Sequence, residues 1–301
     1  MKDPYLLHIF NPTKNVSPFD VNMAYEAEFD GVIPYTEVNL EDIHSLTQDT
    51  IFSRGPTGVK RTGIFIGGRE FGLAVDMLLR AKVAMVPPFV VSVFVDPSGA
   101  ITTAAALVAC IEVWLKKKTG NDLEGKNIHI FGGTGPVGVC AGILATSCGA
   151  NVFLASHRGK KVGQEIAEEY NKRFSVRMQG EDSGSEEAIL KLLENSDVVV
   201  GAARAGIQIL TRSQLEKAPR LVVAADVNAV PPAGIEGVDL HDMGKELEFT
   251  PNRAVSIGAL AIGNVKYKVH YRMFQMMKNT DEPLYLDHVQ AFKTAREYAA
   301  K

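Results

Sequence analysis

Short apolar runs alternate along the chain with longer segments in which apolar residues recur at helical spacing. In the first hundred residues this pattern predicts one amphipathic helix, FGLAVDMLLRAK (71–82), and four strands, YLLHIF (5–10), TIFSR (50–54), GIFIGG (63–68) and FVVSVFVD (89–96). Alternating strands and helices favour a layered α/β arrangement with parallel strands. We therefore predict a small α/β domain at the start of the chain.

A second block follows TTAAALVACIEVWLKKK (102–118), whose Ala-rich interior and terminal lysines predict a long connecting helix. The elements that follow have the order β-α-β-α-β, which is typical of doubly wound nucleotide-binding folds. We predict a helix after the first strand and another around residues 163–174. The predicted strands are NIHIF (127–131), NVFLA (151–155), SVRMQ (175–179), DVVVGAA (197–203) and LVVAAD (221–226).

The C-terminal segments 264–278 and 286–300 also have helical patterns, and we expect them to pack on the first domain. The predicted organisation is α/β with two domains. The smaller domain is formed by residues 1–101 plus 264–301. A Rossmann-type doubly wound domain is formed by residues 102–263 and includes the connecting helix.

The nucleotide-binding prediction depends on GGTGPVG (132–138), which lies between the NIHIF strand and a predicted helix. In the dinucleotide fingerprint, the first glycine permits a tight turn, the second lets the backbone approach the pyrophosphate, and the third lets the helix pack on the strand. A glycine-rich turn without a ligand is the alternative. The predicted phosphate-binding residues are Gly133, Thr134, Gly135, Pro136, Val137 and Gly138.

The end of the second nucleotide-domain strand bears on the choice between NAD and NADP, because NAD sites usually place a carboxylate there. This chain instead has Ser156, His157 and Arg158, followed by Lys160 and Lys161. A guanidinium and ammonium groups suit the 2′-phosphate of NADP. An ordinary solvated basic turn is the alternative, and NAD remains a second cofactor. The predicted cofactor contacts are Ser156, His157, Arg158 and Lys161, with Ala202, Asp226 and Asn228 after later strands.

Composition narrows the class of partner. The chain has 32 Lys plus Arg against 35 Asp plus Glu, so we expect neither a nucleic-acid nor a membrane partner. Three cysteines without ligand spacing predict a reducing cytoplasm and no metal site. We find no signal peptide and no uncharged apolar run of the roughly 18 to 20 residues that a membrane span needs. A small polar metabolite fits this composition better.

No G-x-S-x-G, HExxH or short-chain Y-x-x-x-K motif is present at a suitable position, so a standard alcohol dehydrogenase is not supported. Several strings instead resemble the methylene-tetrahydromethanopterin dehydrogenases of methylotrophic and related bacteria. The resemblance covers nearly the whole chain. It is carried by SPFDV (17–21), IFSRG (51–55), IFIGG (64–68), DPSGAITTAAA (96–106), GGTGPVG (132–138), YNKRFSV (170–176), AADVNAVPPAGIEGVD (224–239) and IGALAIGNVKYKVH (257–270).

The resemblance implies a two-domain subunit with a pterin cleft between its domains. The implied reaction is NAD(P)-dependent oxidation of a methylene bridge to a methenyl bridge, in the one-carbon metabolism of formaldehyde. A hydride leaves the carbon that joins two nitrogens, and no proton need move in that step. Positioning the two reactants is therefore the main task of the enzyme. The resemblance also implies a homo-oligomer, for which we expect a trimer.

Candidate substrate residues lie at both ends of the predicted small domain. Asp20 either binds pterin nitrogens or caps a helix, while Asp96 and the threonines after it enter the connecting helix. By resemblance, Lys266 is the active-site lysine, and we expect it to hold a pterin carbonyl or amide. A solvated helix face is the alternative for Lys266. The predicted substrate-binding residues are Ser17, Phe19, Asp20, Arg54, Asp96, Ser98, Thr102, Thr103 and His270.

Two other functions stay open. A methylene-tetrahydrofolate dehydrogenase would act on a similar reacting ring, and a non-catalytic NADPH-binding sensor would need only the nucleotide domain. The polar strings SPFDV (17–21) and DPSGAITT (96–103) argue against a sensor, because a sensor needs no second polar half-site. Cyclohydrolase activity would require proton transfer, for which Lys266 is the candidate.

Overall fold

The computed structural model describes residues 3–280 and 282–300. The chain divides into two compact units. Unit 1 comprises Met1–Thr102 with Tyr267–Thr294, and unit 2 comprises Thr103–Lys266 with Ala295–Lys301. The prediction grouped residues 264–301 with the start of the chain, whereas in this division the chain from Ala295 onward groups with unit 2.

Strands and helices alternate through most of the described residues. The strands are β1 (Leu6–Phe10), β2 (Gly31–Tyr35), β3 (Thr62–Ile66), β4 (Ser92–Val95), β5 (Asn127–Phe131), β6 (Asn151–Ser156), β7 (Met178–Asp182), β8 (Val198–Gly201), β9 (Val223–Asp226), β10 (Met243–Glu246), β11 (Val255–Ile257) and β12 (Tyr285–Leu286). The helices are α1 (Pro18–Glu26), α2 (Asp42–Phe52), α3 (Pro56–Val59), α4 (Phe71–Ala84), α5 (Ala100–Thr119), α6 (Pro136–Ser147), α7 (Lys160–Phe174), α8 (Glu186–Leu193), α9 (Arg212–Leu215), α10 (Ala259–Lys278) and α11 (His288–Ala299).

Unit 1 contains a parallel sheet with strand order β12-β4-β3-β1-β2. Every residue of β3 and β4 is buried, as is typical of central strands covered on both faces. The edge strand β2 contains Pro34, which lacks a backbone N–H and is tolerated at an edge. The carboxyl ends of β4, β3 and β1 therefore lie side by side.

Unit 2 contains a seven-stranded sheet with the order β10-β11-β9-β8-β5-β6-β7. All of its strand pairs are parallel except β10 with β11. The strand order reverses beside β5, which places the carboxyl ends of β5 and β8 at the position where doubly wound sheets bind ligands. The predicted α/β class and the Rossmann-type sheet are confirmed.

One strand prediction was wrong, and another was wrong in position. Residues 50–54 do not form a strand, because α2 extends through Phe52. Its buried residues Ile43, Thr47 and Ile51 recur every four positions, a spacing that the short apolar window around 50–54 does not show. Strand β7 begins three residues later than expected because α7 runs through Phe174 and ends at Ser175, which has a left-handed φ of 56°.

One helical segment is long and apolar enough to be compared with a membrane span. Residues Pro97–Thr119 contain an 18-residue window with a mean hydropathy of 1.6, which by length and composition would suffice to cross a membrane. Every 18-residue window of this segment contains Glu112, so the segment does not contradict the expectation that no uncharged run of that length exists. In the protein, 72% of this window is buried, and the core helix of a soluble protein meets the same criteria.

Candidate active site

The glycine turn follows β5 and leads directly into α6. A Cβ on Gly133 would come within 2.6 Å of the Ile130 carbonyl oxygen, so this position must be glycine for the turn to close. The left-handed conformation belongs to Gly132, with a φ of 73°, rather than to Gly133. A Cβ on Gly135 would meet its nearest atom, the Gly132 carbonyl oxygen, only at 3.5 Å. The turn is therefore packed tightly at Gly133, whereas a Cβ at Gly135 would make only an ordinary van der Waals contact.

Helix α6 begins at Pro136, with Gly135 as its N-cap. Because glycine has no side chain, the first amides of α6 are not capped by the N-cap residue. Free amides and the positive end of the helix dipole form an arrangement that binds phosphate groups. Thr134, Val137 and Gly138 complete the predicted turn, and the arrangement suits a pyrophosphate.

The basic turn after β6 differs in detail from the expectation. Ser156 is buried, and its hydroxyl accepts a hydrogen bond of 3.2 Å from the Arg158 backbone N–H. Ser156 therefore orders the turn from within. His157, Arg158 and Lys161 are exposed, and Lys161 lies 3.9 Å from Glu165. The exposed cations remain available to a ligand at this end of β6.

Two carboxylates that the sequence interpretation missed lie next to this turn. Strand β7 pairs in parallel with β6, in a register that places Glu181 beside Ala155 and Asp182 beside Ser156. Lys160 Nζ donates to Glu181 Oε1 at 2.9 Å. We expected no acid here because the end of β6 has none. The predicted position of β7, which ended at residue 179, left both carboxylates outside the strand.

The loops after β8 and β9 are organised by Asp226 and Asn228. The Asp226 carboxylate is buried and accepts hydrogen bonds from the N–H groups of Asn228 at 3.0 Å and Ile235 at 3.1 Å. Burial raises the pKa of this carboxyl. Asn228 Oδ1 accepts from the N–H groups of Gly206 and Val230, and Asn228 Nδ2 donates to the Pro232 carbonyl.

The side chains of Asp226 and Asn228 are thus engaged within the protein, and they tie the loop after β8 to the loop after β9. They fix the shape of the backbone in both loops, and a direct contact of either side chain with the cofactor stays a prediction. Ala202 follows β8, is half-buried and donates its N–H to the Phe131 carbonyl at 2.9 Å. It therefore lies beside the glycine turn.

In unit 1, Asp96 joins the end of β4 to helices α5 and α10. Its Oδ1 accepts from the N–H groups of Ile101 and Thr102, and its Oδ2 accepts from the Thr102 hydroxyl at 2.6 Å. The same Oδ2 lies 2.9 Å from His270 Nδ1, and all three side chains are fully buried. Since donors surround this carboxylate, we assign Nδ1 as the protonated nitrogen of His270.

The other nitrogen of His270 has no hydrogen-bond partner within residues 3–280 and 282–300. Four phenylalanine rings surround the imidazole, with centroids 5.0 to 5.8 Å away. Of these four, Phe19 is 36% exposed and the others are buried. A buried polar atom without a partner is costly, so His270 Nε2 is a candidate for contact with a ligand. The four rings are Phe19, Phe65, Phe94 and Phe274.

Helix α1 brings further polar groups to the same end of the unit 1 sheet. Ser17 is its N-cap residue but makes no side-chain capping bond, and Asp20 lies buried in the first turn. The Asp20 carboxylate and the Asn11 amide oxygen both face Gly67, where an added Cβ would meet them at 3.9 and 3.1 Å. Asn11 was missed, although it follows β1 as Asp96 follows β4. These ends of neighbouring strands form one polar edge.

The other predicted substrate residues have separate positions. Ser98 has a φ of 51° and donates to the Gly68 carbonyl, so it joins two loops at the same edge. Thr103 is half-buried on α5, and Lys266 is half-buried on α10, one helical turn before His270. The helical placement of Lys266 and His270 agrees with the sequence pattern.

Arg54 does not fit the expected role. It was predicted as a residue that follows a strand, whereas it follows helix α2. Its guanidinium donates to the carbonyls of Pro4 and Arg61 and to the Thr62 hydroxyl at 2.9 Å. These partners lie at the amino-terminal ends of β1 and β3, at the opposite edge from Asp96. Arg54 therefore serves as a structural clamp.

A cavity of about 480 Å³ also lies at that opposite edge. Its lining includes Pro56, Thr62 and Ser92, the last two being the first residues of β3 and β4. It contains none of the predicted site residues. Among the described residues, no group of three or more His, Cys, Asp or Glu side chains is arranged to hold a metal ion.

Comparisons with known proteins find relatives along nearly the whole chain. The family model "Methylene-tetrahydromethanopterin dehydrogenase, N-terminal" matches residues 18–98. The chain is 48% identical over 294 residues to the NAD(P)-dependent methylenetetrahydromethanopterin dehydrogenase of Methylorubrum extorquens, covering 98% of each chain. It is also 31% identical to the bifunctional protein MdtA of the same organism, over 98% of this chain and 99% of that protein.

Solved structures with similar folds are much more distant in sequence. An NAD-dependent malic enzyme from Thermotoga maritima has a TM-score of 0.55 at 13% identity, covering 97% of this chain and 84% of that one. Shikimate 5-dehydrogenase from Listeria monocytogenes has a TM-score of 0.51 at 14% identity, covering 91% and 92%. These similarities support the fold alone.

Proposed function

The chain belongs to the NAD(P)-dependent methylenetetrahydromethanopterin dehydrogenase family, and we propose that it oxidises methylene-tetrahydromethanopterin to the methenyl form with NADP as its preferred acceptor. The reaction is a direct hydride transfer in one-carbon metabolism. The pterin binds to unit 1 and the dinucleotide binds to unit 2. NAD serves as a second, less favoured acceptor.

The glycine turn and the basic turn after β6 support the cofactor proposal. Gly135 has no Cβ at the start of α6, where a pyrophosphate would approach the backbone, and the first amides of α6 would hold it. Arg158 and Lys161 are exposed cations at the end of β6 and would hold the 2′-phosphate. Asp226 and Asn228 would shape the loops around the nicotinamide by fixing their backbone. The residues present therefore fit a dinucleotide.

The polar edge of unit 1 supports the pterin proposal. His270 Nε2 has an unused lone pair when Nδ1 donates to Asp96, so it can accept a hydrogen bond from a pterin amine or ring N–H. Phe19 is partly exposed above it and offers an aromatic face for the pterin ring. Ser17, Ser98 and Thr103 are the remaining proposed contacts at this edge.

The reaction requires the protein to position the two reactants and to stabilise the positive charge that develops on the pterin. When bound, NADP supplies the nicotinamide carbon that accepts the hydride. The buried Asp20 carboxylate favours the positive charge that develops on the two pterin nitrogens. Lys266 holds a pterin carbonyl or amide oxygen, since its own charge beside the developing cation would be unfavourable. No residue needs to accept a proton in the redox step.

One observation carries the proposal more than any other, namely a dinucleotide turn whose Gly135 has no neighbour within 3.4 Å of an added Cβ, in a chain that matches a dehydrogenase along 98% of its length. The test is to measure NADPH and NADH formation by the purified protein with methylene-tetrahydromethanopterin and, separately, with methylene-tetrahydrofolate. We expect the fastest turnover with the methanopterin and NADP. Activity with the folate alone would move the substrate to the folate series. No activity with either pterin would favour a nucleotide-binding sensor.

We also propose that the enzyme is a cytoplasmic homo-oligomer, with a trimer as the expected form. This proposal is supported by the sequence resemblance and by the composition. Light scattering coupled to size-exclusion chromatography measures the assembly directly. A monomeric mass at micromolar concentration would contradict it.

A further inference from the structure

The basic turn that would hold the 2′-phosphate of NADP is partly neutralised by a neighbouring strand. Lys160 Nζ lies 2.9 Å from Glu181 Oε1, and Glu181 is near the carboxyl end of β7. The Lys160 side chain is 62% exposed, whereas that of Glu181 is 24% exposed. The carboxylate is thus the better fixed partner, and it holds the lysine toward β7.

The neighbouring cations differ from Lys160 in this respect. Lys161 has Glu165 only at 3.9 Å, and both of those side chains are largely exposed. Arg158 makes no side-chain hydrogen bond or ion pair within the part of the chain that the structure describes. Of the three cations, Lys160 is the one whose position is set by a close carboxylate.

We propose that Glu181 is a specificity-determining residue that restrains the preference for NADP over NAD. This inference depends on the proposed binding of a dinucleotide at the glycine turn. NADP differs from NAD by a 2′-phosphate, which must compete with Glu181 for Lys160. NAD lacks that phosphate, so the ion pair between Lys160 and Glu181 remains intact when NAD binds. The pair therefore weakens NADP binding and leaves NAD binding nearly unchanged.

The choice between the two cofactors thus depends on the end of β7 as well as on the end of β6. A carboxylate directly after β6 would bind the ribose 2′-hydroxyl and reject a phosphate. Glu181 lies one strand further away and reaches the ligand site through Lys160. Its effect is a moderate penalty on NADP, which suits an enzyme that accepts both cofactors.

The test uses two nucleotide fragments that differ in the 2′-phosphate, 2′,5′-ADP and 5′-AMP, with affinities measured by calorimetry on the full-length protein. Glu181→Gln keeps the side-chain shape and removes the charge. We expect it to tighten 2′,5′-ADP binding about fivefold and to leave 5′-AMP binding unchanged. The ratio of kcat/KM for NADP over NAD should rise by a similar factor.

Two further variants make the test specific. Glu165→Gln removes a carboxylate of the same charge near Lys161, and it should change the fragment ratio much less. In a Lys160→Met background, Glu181→Gln should lose most of its effect. An equal response of Glu165→Gln, or a full Glu181→Gln effect without Lys160, would overturn the proposed route.

The result for the wild-type protein separates this inference from the cofactor proposal. If both fragments bind and Glu181→Gln leaves their ratio unchanged, the role of Glu181 is wrong and the nucleotide site stands. If neither fragment binds to the wild-type protein, the nucleotide site itself is wrong, and the role of Glu181 is refuted with it.

Discussion

Asp96 Oδ2 and His270 Nδ1 lie 2.9 Å apart, although 174 positions separate the two residues in the sequence. Both side chains are fully buried. The contact links the end of β4 to helix α10 and leaves His270 Nε2 without a hydrogen-bond partner in the described residues. This pairing fixes the orientation of the imidazole, which is the requirement for a binding group that must meet one atom of a substrate.

The substitution His270→Asn separates the structural role of His270 from binding. The asparagine amide can still donate to Asp96, while the position of Nε2 is lost. We expect the KM for the pterin to rise about tenfold or more, because a hydrogen bond in a buried site is lost, and the KM for NADP to stay unchanged. Steady-state kinetics with each substrate varied measure this. An unaltered pterin KM in a folded His270→Asn protein would remove Nε2 from the site.

Two substitutions in the glycine turn should have different effects, one on the stability of the fold and the other on cofactor binding. Gly133→Ala would place a Cβ 2.6 Å from the Ile130 carbonyl oxygen, so we expect a loss of several kcal/mol of stability or a failure to fold. Gly135→Ala meets no atom closer than 3.5 Å, so the fold should persist. Its methyl group fills the space for the pyrophosphate, and NADPH affinity should fall at least tenfold.

Thermal unfolding and NADPH fluorescence titration of both proteins check this pair. Wild-type NADPH affinity in Gly135→Ala would contradict the assignment of the turn. Gly133→Ala is the comparison for folding, because its expected loss of stability should be absent from Gly135→Ala.

Lys266 and Lys268 form a second matched pair. Lys266 is half-buried on α10, whereas Lys268 is exposed. Lys266→Ala should reduce turnover about 10-fold to 100-fold, since a charged hydrogen bond to the pterin is lost, with NADP affinity retained. Lys268→Ala should behave like the wild-type protein. Equal turnover of the two variants would exclude Lys266 from the site.

His129 predicts a pH dependence of stability. Burial lowers the pKa of His129 to about 4, against its ordinary value of 6.5, and its Nδ1 lies 2.8 Å from the Ser196 hydroxyl. The folded protein therefore holds this imidazole neutral, while the unfolded chain binds a proton below pH 6.5. The stabilisation is fully present above pH 6.5 and is lost as the pH falls toward 4, by up to about 3 kcal/mol.

The measurement is denaturant unfolding of the wild-type and His129→Asn proteins between pH 7 and 4. We expect the free energy of unfolding to decrease less steeply with acid in His129→Asn, because the titrating group is gone. His241→Asn, at an exposed position, is the control and should keep the wild-type slope. Parallel slopes for all three proteins would contradict the prediction.

The sequence was sufficient to predict the fold in places where one local pattern determines the structure. GGTGPVG (132–138) requires a strand, a tight turn and a helix in succession, and each is present. The apolar runs in β3 and β4 are continuous because both faces of those strands are buried. The strand prediction for residues 50–54 was wrong because a five-residue window cannot distinguish a strand from the end of a helix that begins at Asp42.

Pairing between strands accounts for most of what the sequence did not show. Glu181 lies beside the basic turn only because β7 pairs with β6 in one register, which depends on where α7 ends. Asn11 and Asp96 face the same edge because β1 and β4 flank β3. The hydrogen bond from the Ile235 N–H to the Asp226 carboxylate forms because the loop after β9 folds back onto the end of that strand. No local sequence motif specifies this path of the loop.

The most direct test of the proposed reaction follows the hydrogen itself. Methylene-tetrahydromethanopterin carrying deuterium on the methylene carbon is oxidised by the enzyme with NADP, and the NADPH formed is analysed by NMR. We predict that deuterium appears at the nicotinamide C4 without dilution by solvent hydrogen, since the hydride moves in one step. Deuterium released to water, or NADPH formed without the label, would contradict direct hydride transfer.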